Sequence, residues 1–241
     1  MNSLADPQNN PGAASDLTKK KRVGIVSDSI KKKRVGIILG SASPRRASLL
    51  RLTGVEFTAR PTDTDETPDG AMAPQDYVSA LALKKAVAAG ASIAPDDSFM
   101  QSHEAAVIIG ADTVVVARDG SILGKPADAR DAARMLAMLS GGWHEVYTGV
   151  ALVGIGGDAG ARGPLVRHEK TRVRMCEIDA EAINRYVAGG EPFDKAGAYA
   201  VQGAGSFFID RVEGCYYNIV GLPLHLLYTM LLEFGVDLMD K

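Results

Sequence analysis

Two arginines stand where an isolated helix disfavours them. Ser41-Ala42-Ser43-Pro44-Arg45-Arg46 has the signature of a helix start, with Ser43 as N-cap and Pro44 at the first helical position. The first turn carries the positive end of the helix dipole, so each cation there costs roughly a few tenths of a kcal/mol. An anion would reverse that cost, because free N–H groups, two hydroxyls and two guanidinium forks together make a phosphate site. The alternative is that both side chains reach into solvent. The strand expected just before them favours the phosphate site, since open α/β sheets bind ligands at the carboxyl ends of their strands.

A second anomaly is Asp112, a single carboxylate inside the apolar and glycine-bearing run from Val107 to Val116, with Thr113 beside it. Burying an unpaired carboxylate is costly. Asp112 is therefore either held by a cation in a structural ion pair or turned into a cleft as a general base. The acidic stretch Asp63, Asp65, Glu66 and Asp69 is mostly a solvated loop. A phosphate site nevertheless often includes a hard cation held by one or two carboxylates and the phosphate oxygens. Two lysines complete the set. At 100° per residue Lys85 projects among Tyr77, Val78, Leu81 and Ala88 on an apolar helical stripe, where it either snorkels or meets a buried anion. Lys84 lies nearer the edge of that stripe. Lys125, between a strand and a helix, is a second candidate for phosphate contact.

Several familiar signatures fail. Gly120-Ser121-Ile122-Leu123-Gly124-Lys125-Pro126 is one residue short of a P-loop and has Pro after the Lys. Gly154-Ile155-Gly156-Gly157-Asp158-Ala159 sits in a polar turn and opens no helix, which argues against dinucleotide binding. Asp63-Thr64-Asp65 begins like a calcium loop, but Pro68 and Pro74 occupy positions an EF-hand needs for other residues. The histidines at 103, 144, 168 and 225 show no metal spacing.

The elements that must position these residues alternate. Strands are expected at Val35–Leu39 and Val55–Ala59, with a helix from Pro44 to a glycine cap at Gly54 between them. A helix follows at Pro74–Ala89, a loop at 90–105, and strands at Val107–Gly110 and Val114–Ala117. Asp119-Gly120 is a hairpin turn into Ile122-Leu123. A helix at Ala127–Leu139 precedes two long strands, Val146–Val153 and Val166–Ile178, on either side of a glycine-rich turn at 154–163. Helices at Ala180–Val187 and Leu224–Phe234 close the pattern. It predicts an α/β protein with a mixed, twisted sheet and flanking helices, because hairpins interrupt the βα units.

Residues 1–18 are polar and read as a disordered tail. Lys19-Lys20-Lys21-Arg22-Val23-Gly24-Ile25 then recurs as Lys31-Lys32-Lys33-Arg34-Val35-Gly36-Ile37. Such runs can be nuclear-localisation or nucleic-acid arms. A duplicated, solvated extension is preferred here, because the repeat stops after two copies and only the second leads into a motif. The folded body is expected at 34–241, preceded by a disordered basic extension at 1–33.

Composition narrows the class. The chain has 241 residues, 46% hydrophobic and 23% charged, ordinary globular proportions that exclude wholesale disorder. Lys and Arg total 27 against 29 Asp and Glu, a net charge of -2, which argues against nucleic-acid binding. Two cysteines, Cys176 and Cys215, support neither a disulfide framework nor a four-cysteine zinc site. No apolar run approaches the roughly 18 residues of a membrane span, and the N-terminus lacks the apolar segment of a secretory signal. The expectation is a soluble cytoplasmic enzyme with neither a membrane nor a nucleic-acid partner. Glycine, at 26 residues, exceeds the roughly 17 of average usage. That excess suggests many tight turns and close backbone approaches to ligands.

Taken together the chain resembles the Maf family of nucleotide pyrophosphatases. The pieces that carry the resemblance are Ser41-Ala-Ser-Pro-Arg-Arg46, Asp65-Glu66, Lys85, Gly110-Ala-Asp-Thr113, Gly124-Lys-Pro126, Asp194-Lys-Ala-Gly-Ala-Tyr199, Val201-Gln-Gly203 and Val220-Gly-Leu-Pro223, in family order. The resemblance implies a Maf or ITPase-like α/β fold with two lobes around a deep cleft. It implies hydrolysis of nucleoside triphosphates to monophosphate and pyrophosphate, with Asp112 activating water for attack on the α-phosphorus. It implies that Glu66 holds a divalent metal, Mg²⁺ or Mn²⁺, and that Ser41, Arg46, Lys85 and Lys125 grip the triphosphate. Three positions divide the family by substrate. Arg45, Thr113 and Gln202 are the residues of the branch that resembles dTTP/UTP pyrophosphatases, whereas the 7-methyl-GTP branch carries Trp, Gln and Glu. Gln202 offers a donor and an acceptor, which suits the O4 and N3–H edge of uracil or thymine. The implied role is nucleotide pool cleansing, extending to modified pyrimidine nucleotides. Two other functions compete: a 7-methyl-GTP pyrophosphatase, opposed by Arg45 and Gln202, and a non-catalytic nucleotide-binding regulator of cell division, which would need no base at Asp112. Family members are often homodimers, and no stretch of the sequence singles out a pairing surface.

Overall fold

The chain runs β1 (Val35–Leu39), α1 (Pro44–Leu52), β2 (Thr58–Ala59), α2 (Pro74–Ala91), α3 (Ser98–Ser102), β3 (Ala105–Val116), β4 (Ile122–Leu123), α4 (Ala129–Leu139), β5 (Trp143–Ile155), α5 (Gly157–Gly160) and β6 (Leu165–Met175). It continues through α6 (Ala180–Ala188), short 3-10 turns between Glu191 and Phe208, β7 (Ile209–Glu213), α7 (Tyr216–Val220) and α8 (Leu224–Glu233). The structure, a computed structural model, describes residues 35–64, 72–94 and 96–239. The basic extension expected at 1–33 and the acidic residues Asp65, Glu66 and Asp69 lie outside the described residues.

Seven strands form one mixed sheet in the order β2-β1-β3-β5-β6-β7, with β4 also on β3. β1 is parallel to β2 and β3, and the remaining pairs are antiparallel. β3 is buried along its length except at Thr113, because helices cover both of its faces. On one face Val107, Ile109 and Ala111 pack with Leu49 and Leu50 of α1 and Leu227, Met230 and Leu231 of α8. Two pleats further on, Val115 belongs to a second cluster with Leu136 and Leu139 of α4 and Ile183 and Val187 of α6. Thr113 lies between the two clusters on that face, so the apolar core is divided into two lobes by a polar seam. On the opposite face Ala106 and Ile108 pack with Ala82, Ala86 and Ala89 of α2.

Helix α2 sits unusually close to the sheet. A Cβ at Gly110 would run into the carbonyl of Ala82 and the amide of Ala86, and one at Gly149 into the carbonyl of Val78. Both glycines thus bring helix backbone onto strand backbone, and Lys85 comes with it. Gly110→Ala must push α2 outward, an overpacking cost of about 2 kcal/mol. In a domain of this size the melting temperature should fall by about 4–8 °C. An unchanged melting temperature would mean that α2 has room the glycines do not show.

The structure departs from the expected elements in instructive places. Asp112 does not separate two strands, because β3 continues through it. Lys85 pairs the carboxylate, which removes the reason for a break. The strand expected at Val55–Ala59 shrinks to Thr58–Ala59, while Phe57 packs against the first cluster under the guanidinium of Arg51. The loop expected at 90–105 contains α3, capped by the Asp97 side chain accepting from the Phe99 amide. The glycine-rich turn at 154–163 contains the short helix α5. β7, α7 and the 3-10 turns fill a stretch for which no element was expected.

Candidate active site

The site lies where one strand edge loses its partner. β1 pairs with β3 only as far as Leu39 and Ile109, extended by one bond from the Gly40 amide to the Ile109 carbonyl, and β4 pairs again only at Val115. Between them the edge of β3 has no strand partner among the described residues. Neighbouring residues of a strand point to opposite faces, so a ligand above one face normally meets only one of them. At an open edge both are within reach. A cleft of about 380 Å³ opens there, lined by Asp112 from one face and Thr113 from the other.

All the expected site residues that are described, namely Ser41, Arg45, Arg46, Lys85, Asp112, Thr113, Lys125 and Gln202, line this cleft. Glu66, expected to hold a metal, is outside the described residues.

Asp112 and Lys85 form the buried centre. Lys85 Nζ donates to Asp112 Oδ1 at 2.6 Å, and the two residues are 8% and 7% exposed. Of the two readings of Asp112, the structure therefore shows both features, a cation partner and a place in the cleft. Oδ2 carries no hydrogen bond among the described residues.

Arg46 is held in place by bonds from Nε to the Gly221 carbonyl at 2.8 Å, from Nη1 to Ser41 Oγ at 3.2 Å and from Nη2 to Thr113 Oγ1 at 3.0 Å. The cap that starts α1 is the expected one, with Ser43 Oγ accepting from the Arg46 amide. Arg45 turns elsewhere. It reaches across the cleft mouth to Asp194, with Nη1 on Oδ2 at 2.6 Å and Nη2 on the Asp194 carbonyl at 2.9 Å. Lys195 Nζ holds Oδ1 of the same carboxylate at 2.6 Å and the Glu191 carbonyl at 2.6 Å. Burial alone would raise the Asp194 carboxyl, but Lys195 and Arg45 hold it below the usual carboxylate range.

The far wall is built from the 3-10 turns. Gly197 and Ala198 are both left-handed, at φ 68° and 60°, and the Gly197 amide reaches the carbonyl of Gly124 at 3.0 Å. For alanine that conformation costs about 1 kcal/mol, and the turn it makes ties the Lys125 loop to the Asp194–Tyr199 segment. Gln202 is exposed at the rim. Its loop is clamped by Glu191, which accepts from the amides of Ala204 at 3.0 Å and Gly205 at 3.1 Å and from Tyr186 Oη at 2.8 Å.

Sequence reasoning missed Asp194 and Lys195 as cleft residues, along with Tyr77 and Tyr199. Asp194 and Lys195 stand in a motif that carried the resemblance, yet Arg45, the partner that gives Asp194 its place, is far away in the chain. His144 does not line the cleft. It is 2% exposed, its Nε2 lies 2.8 Å from Tyr199 Oη, and burial pushes its pKa down to about 4, which keeps it neutral.

No group of three or more His, Cys, Asp or Glu side chains gathers into a metal cage among the described residues. The cleft carboxylates described, Asp112 and Asp194, each already hold a lysine. Such a donor set fits a hard cation of the Mg²⁺ kind, which is ordinarily held by one or two carboxylates together with phosphate oxygens.

Comparison with known proteins agrees with this geometry. The family model described as "Maf-like protein" matches residues 36–234. A protein of Pelotomaculum thermopropionicum named "dTTP/UTP pyrophosphatase" is 48% identical over 194 residues, 80% of this chain and 94% of that protein. Proteins of the same name from Symbiobacterium thermophilum and Hahella chejuensis are 46% and 44% identical, over 79% and 80% of this chain and 89% of each relative. The solved structure of the Staphylococcus aureus Ham1 protein is a weak likeness, with a TM-score of 0.35 and 11% identity over 58% of this chain and 71% of that one. With the family model matched across the sheet, the cleft and both lobes, the chain belongs to the Maf-like family.

Proposed function

We propose that the protein hydrolyses nucleoside triphosphates, dTTP and UTP foremost, to the monophosphate and pyrophosphate. The observation that carries this reading is a buried carboxylate, Asp112, in a cleft rich in cations: Lys85 on its Oδ1, Arg46 at the start of α1 and Lys125 on the opposite wall. Relatives named for that activity cover most of the chain.

In this mechanism a water held by Asp112 Oδ2 gives its proton to the carboxylate as its oxygen attacks the α-phosphorus. The bond from that phosphorus to the oxygen bridging to the β-phosphorus breaks, and pyrophosphate leaves with the electron pair. Lys85 fixes the carboxylate by occupying Oδ1, so only Oδ2 faces the water. Ser41, Arg46, Lys85 and Lys125 bind the phosphate chain, and their fixed donors stabilise charge that grows on its oxygens. Glu66 would hold a divalent cation, Mg²⁺ or Mn²⁺, which supplies charge neutralisation on the phosphate oxygens when bound.

A nucleotide panel comprising UTP, dTTP, CTP, ATP, GTP and 7-methyl-GTP tests the reading, with and without a chelator. Pyrophosphate and monophosphate should appear from UTP and dTTP and cease on chelation. Release of orthophosphate, or a preference for 7-methyl-GTP, would overturn it. Survival of activity under complete chelation would remove the metal.

A further inference from the structure

The polar seam that divides the two lobes has a fixed direction. Arg46 Nη2 lies 3.0 Å from Thr113 Oγ1, Thr113 Oγ1 lies 2.9 Å from Thr148 Oγ1, and Thr148 Oγ1 lies 3.0 Å from the carbonyl of Asn218. A guanidinium only donates and a carbonyl only accepts, while each hydroxyl has one proton and two lone pairs. If Thr148 gives its proton to Asn218, Thr113 must give its own to Thr148, and the chain makes three bonds. If Thr148 gives its proton to Thr113 instead, the bond to Asn218 is lost and both lone pairs of Thr113 are consumed. Thr148 and Asn218 are fully buried, so no water replaces a bond given up there. The three-bond arrangement wins.

We infer that Thr148 is a positioning residue that turns the Thr113 hydroxyl proton away from the cleft, so that Thr113 meets a ligand only as an acceptor and selects a nucleobase presenting a ring N–H. One lone pair of Thr113 is held by Arg46 and one is left for the ligand. That remaining lone pair repels phosphate oxygen, which also only accepts, and attracts a donor. Uracil and thymine carry a proton on N3, and cytosine does not. Thr113 therefore opposes cytosine independently of Gln202, which sits on a different loop and whose amide can turn over to offer either edge. This inference rests on the pyrimidine reading of the cleft and adds the group that sets its polarity. Asn218 holds Thr148 through its main chain, while its side-chain Nδ2 donates to the Val146 carbonyl and Thr171 Oγ1.

The decisive variant is Thr148→Val, which keeps the shape of a β-branched residue in β5 and removes the hydroxyl. The Asn218 carbonyl keeps its bond from the Gly221 amide, at 3.0 Å, so no acceptor is orphaned. Without its acceptor the Thr113 proton is free to swing into the cleft and donate to the bare N3 of cytosine. The ratio of kcat/KM for UTP to that for CTP should fall by at least about tenfold, and Thr148→Ser should restore it. Wild-type enzyme should also reject N3-methyl-UTP, which lacks the donor. A role in packing alone would lower the melting temperature of Thr148→Val and leave the ratio unchanged, and that result would overturn the inference.

A second measurement needs no substrate. In protein with labelled threonine, the Thr113 hydroxyl proton should exchange slowly in the wild type and rapidly in Thr148→Val. Rapid exchange in the wild type would place the proton in the cleft and overturn the inference. Slow exchange in a protein that does not turn over UTP would fault the proposed substrate and leave the direction of the chain standing.

Discussion

Asp112→Asn should lose about 10²–10⁴-fold in turnover while still binding dTTP. The amide oxygen can accept from Lys85 as Oδ1 does now, at 2.6 Å, so the contact between α2 and β3 survives. What it cannot do is take a proton from water. The ion pair with Lys85, a residue only 8% exposed, is reduced to a hydrogen bond, and stability should fall by about 1–3 kcal/mol. The rate loss corresponds to about 3–5 kcal/mol in the barrier, comparable with the stability change, so turnover has to be compared on folded protein. Single-turnover pyrophosphate release, measured beside dTTP binding by titration calorimetry, distinguishes the two. Near-normal turnover in a folded variant would take Asp112 out of the mechanism.

Gln202→Glu should depress kcat/KM for UTP by about 10²-fold or more and spare the pyrophosphatase chemistry on other bases. The new carboxylate loses the amide donor and sets a second acceptor against O4 of uracil. Its loop will not yield to relieve the mismatch, because Glu191 holds the amides of Ala204 and Gly205 just beyond it. Four substrates on two proteins settle the matter: UTP, dTTP, CTP and 7-methyl-GTP. Wild-type protein equally active on UTP and CTP would sink the base assignment and leave hydrolysis itself untouched.

Local rules made much of the scaffold readable. Ser43 caps α1 as its place before Pro44 announced, whereas Asp128 caps α4 from a position that the expected helix, starting at Ala127, had taken inside. Lys85 stood out because a cation inside an apolar stripe needs an anion, and Asp112 because an anion inside an apolar run needs a cation. Neither residue names the other, since the seat of α2 on the sheet depends on Gly110 of β3 and Gly149 of β5 and on a distance no periodicity encodes. Arg45 shows the same limit from the other side. The sequence placed it at an anion site, and the structure pairs it with Asp194 on a turn with no helical or strand pattern at all. Thr148 and Asn218 were invisible for a plainer reason. A threonine in a strand and an asparagine in a short helix are ordinary until their hydrogen bonds are counted.

The gap in the ladder along β3 has a bearing beyond catalysis. An unpaired strand edge is the common template on which one protein chain captures another, and edge strands are ordinarily guarded by charge, by bends or by short length. Here the edge, without a strand partner among the described residues, is lined by residues of α1, of α2 and of the Asp194–Tyr199 turn, with Lys85, Arg46 and Lys125 around it. Charged side chains around an edge are one of the ordinary guards against strand addition. The cations that suit the cleft to phosphate thus stand where the central strand would otherwise offer its edge to another chain.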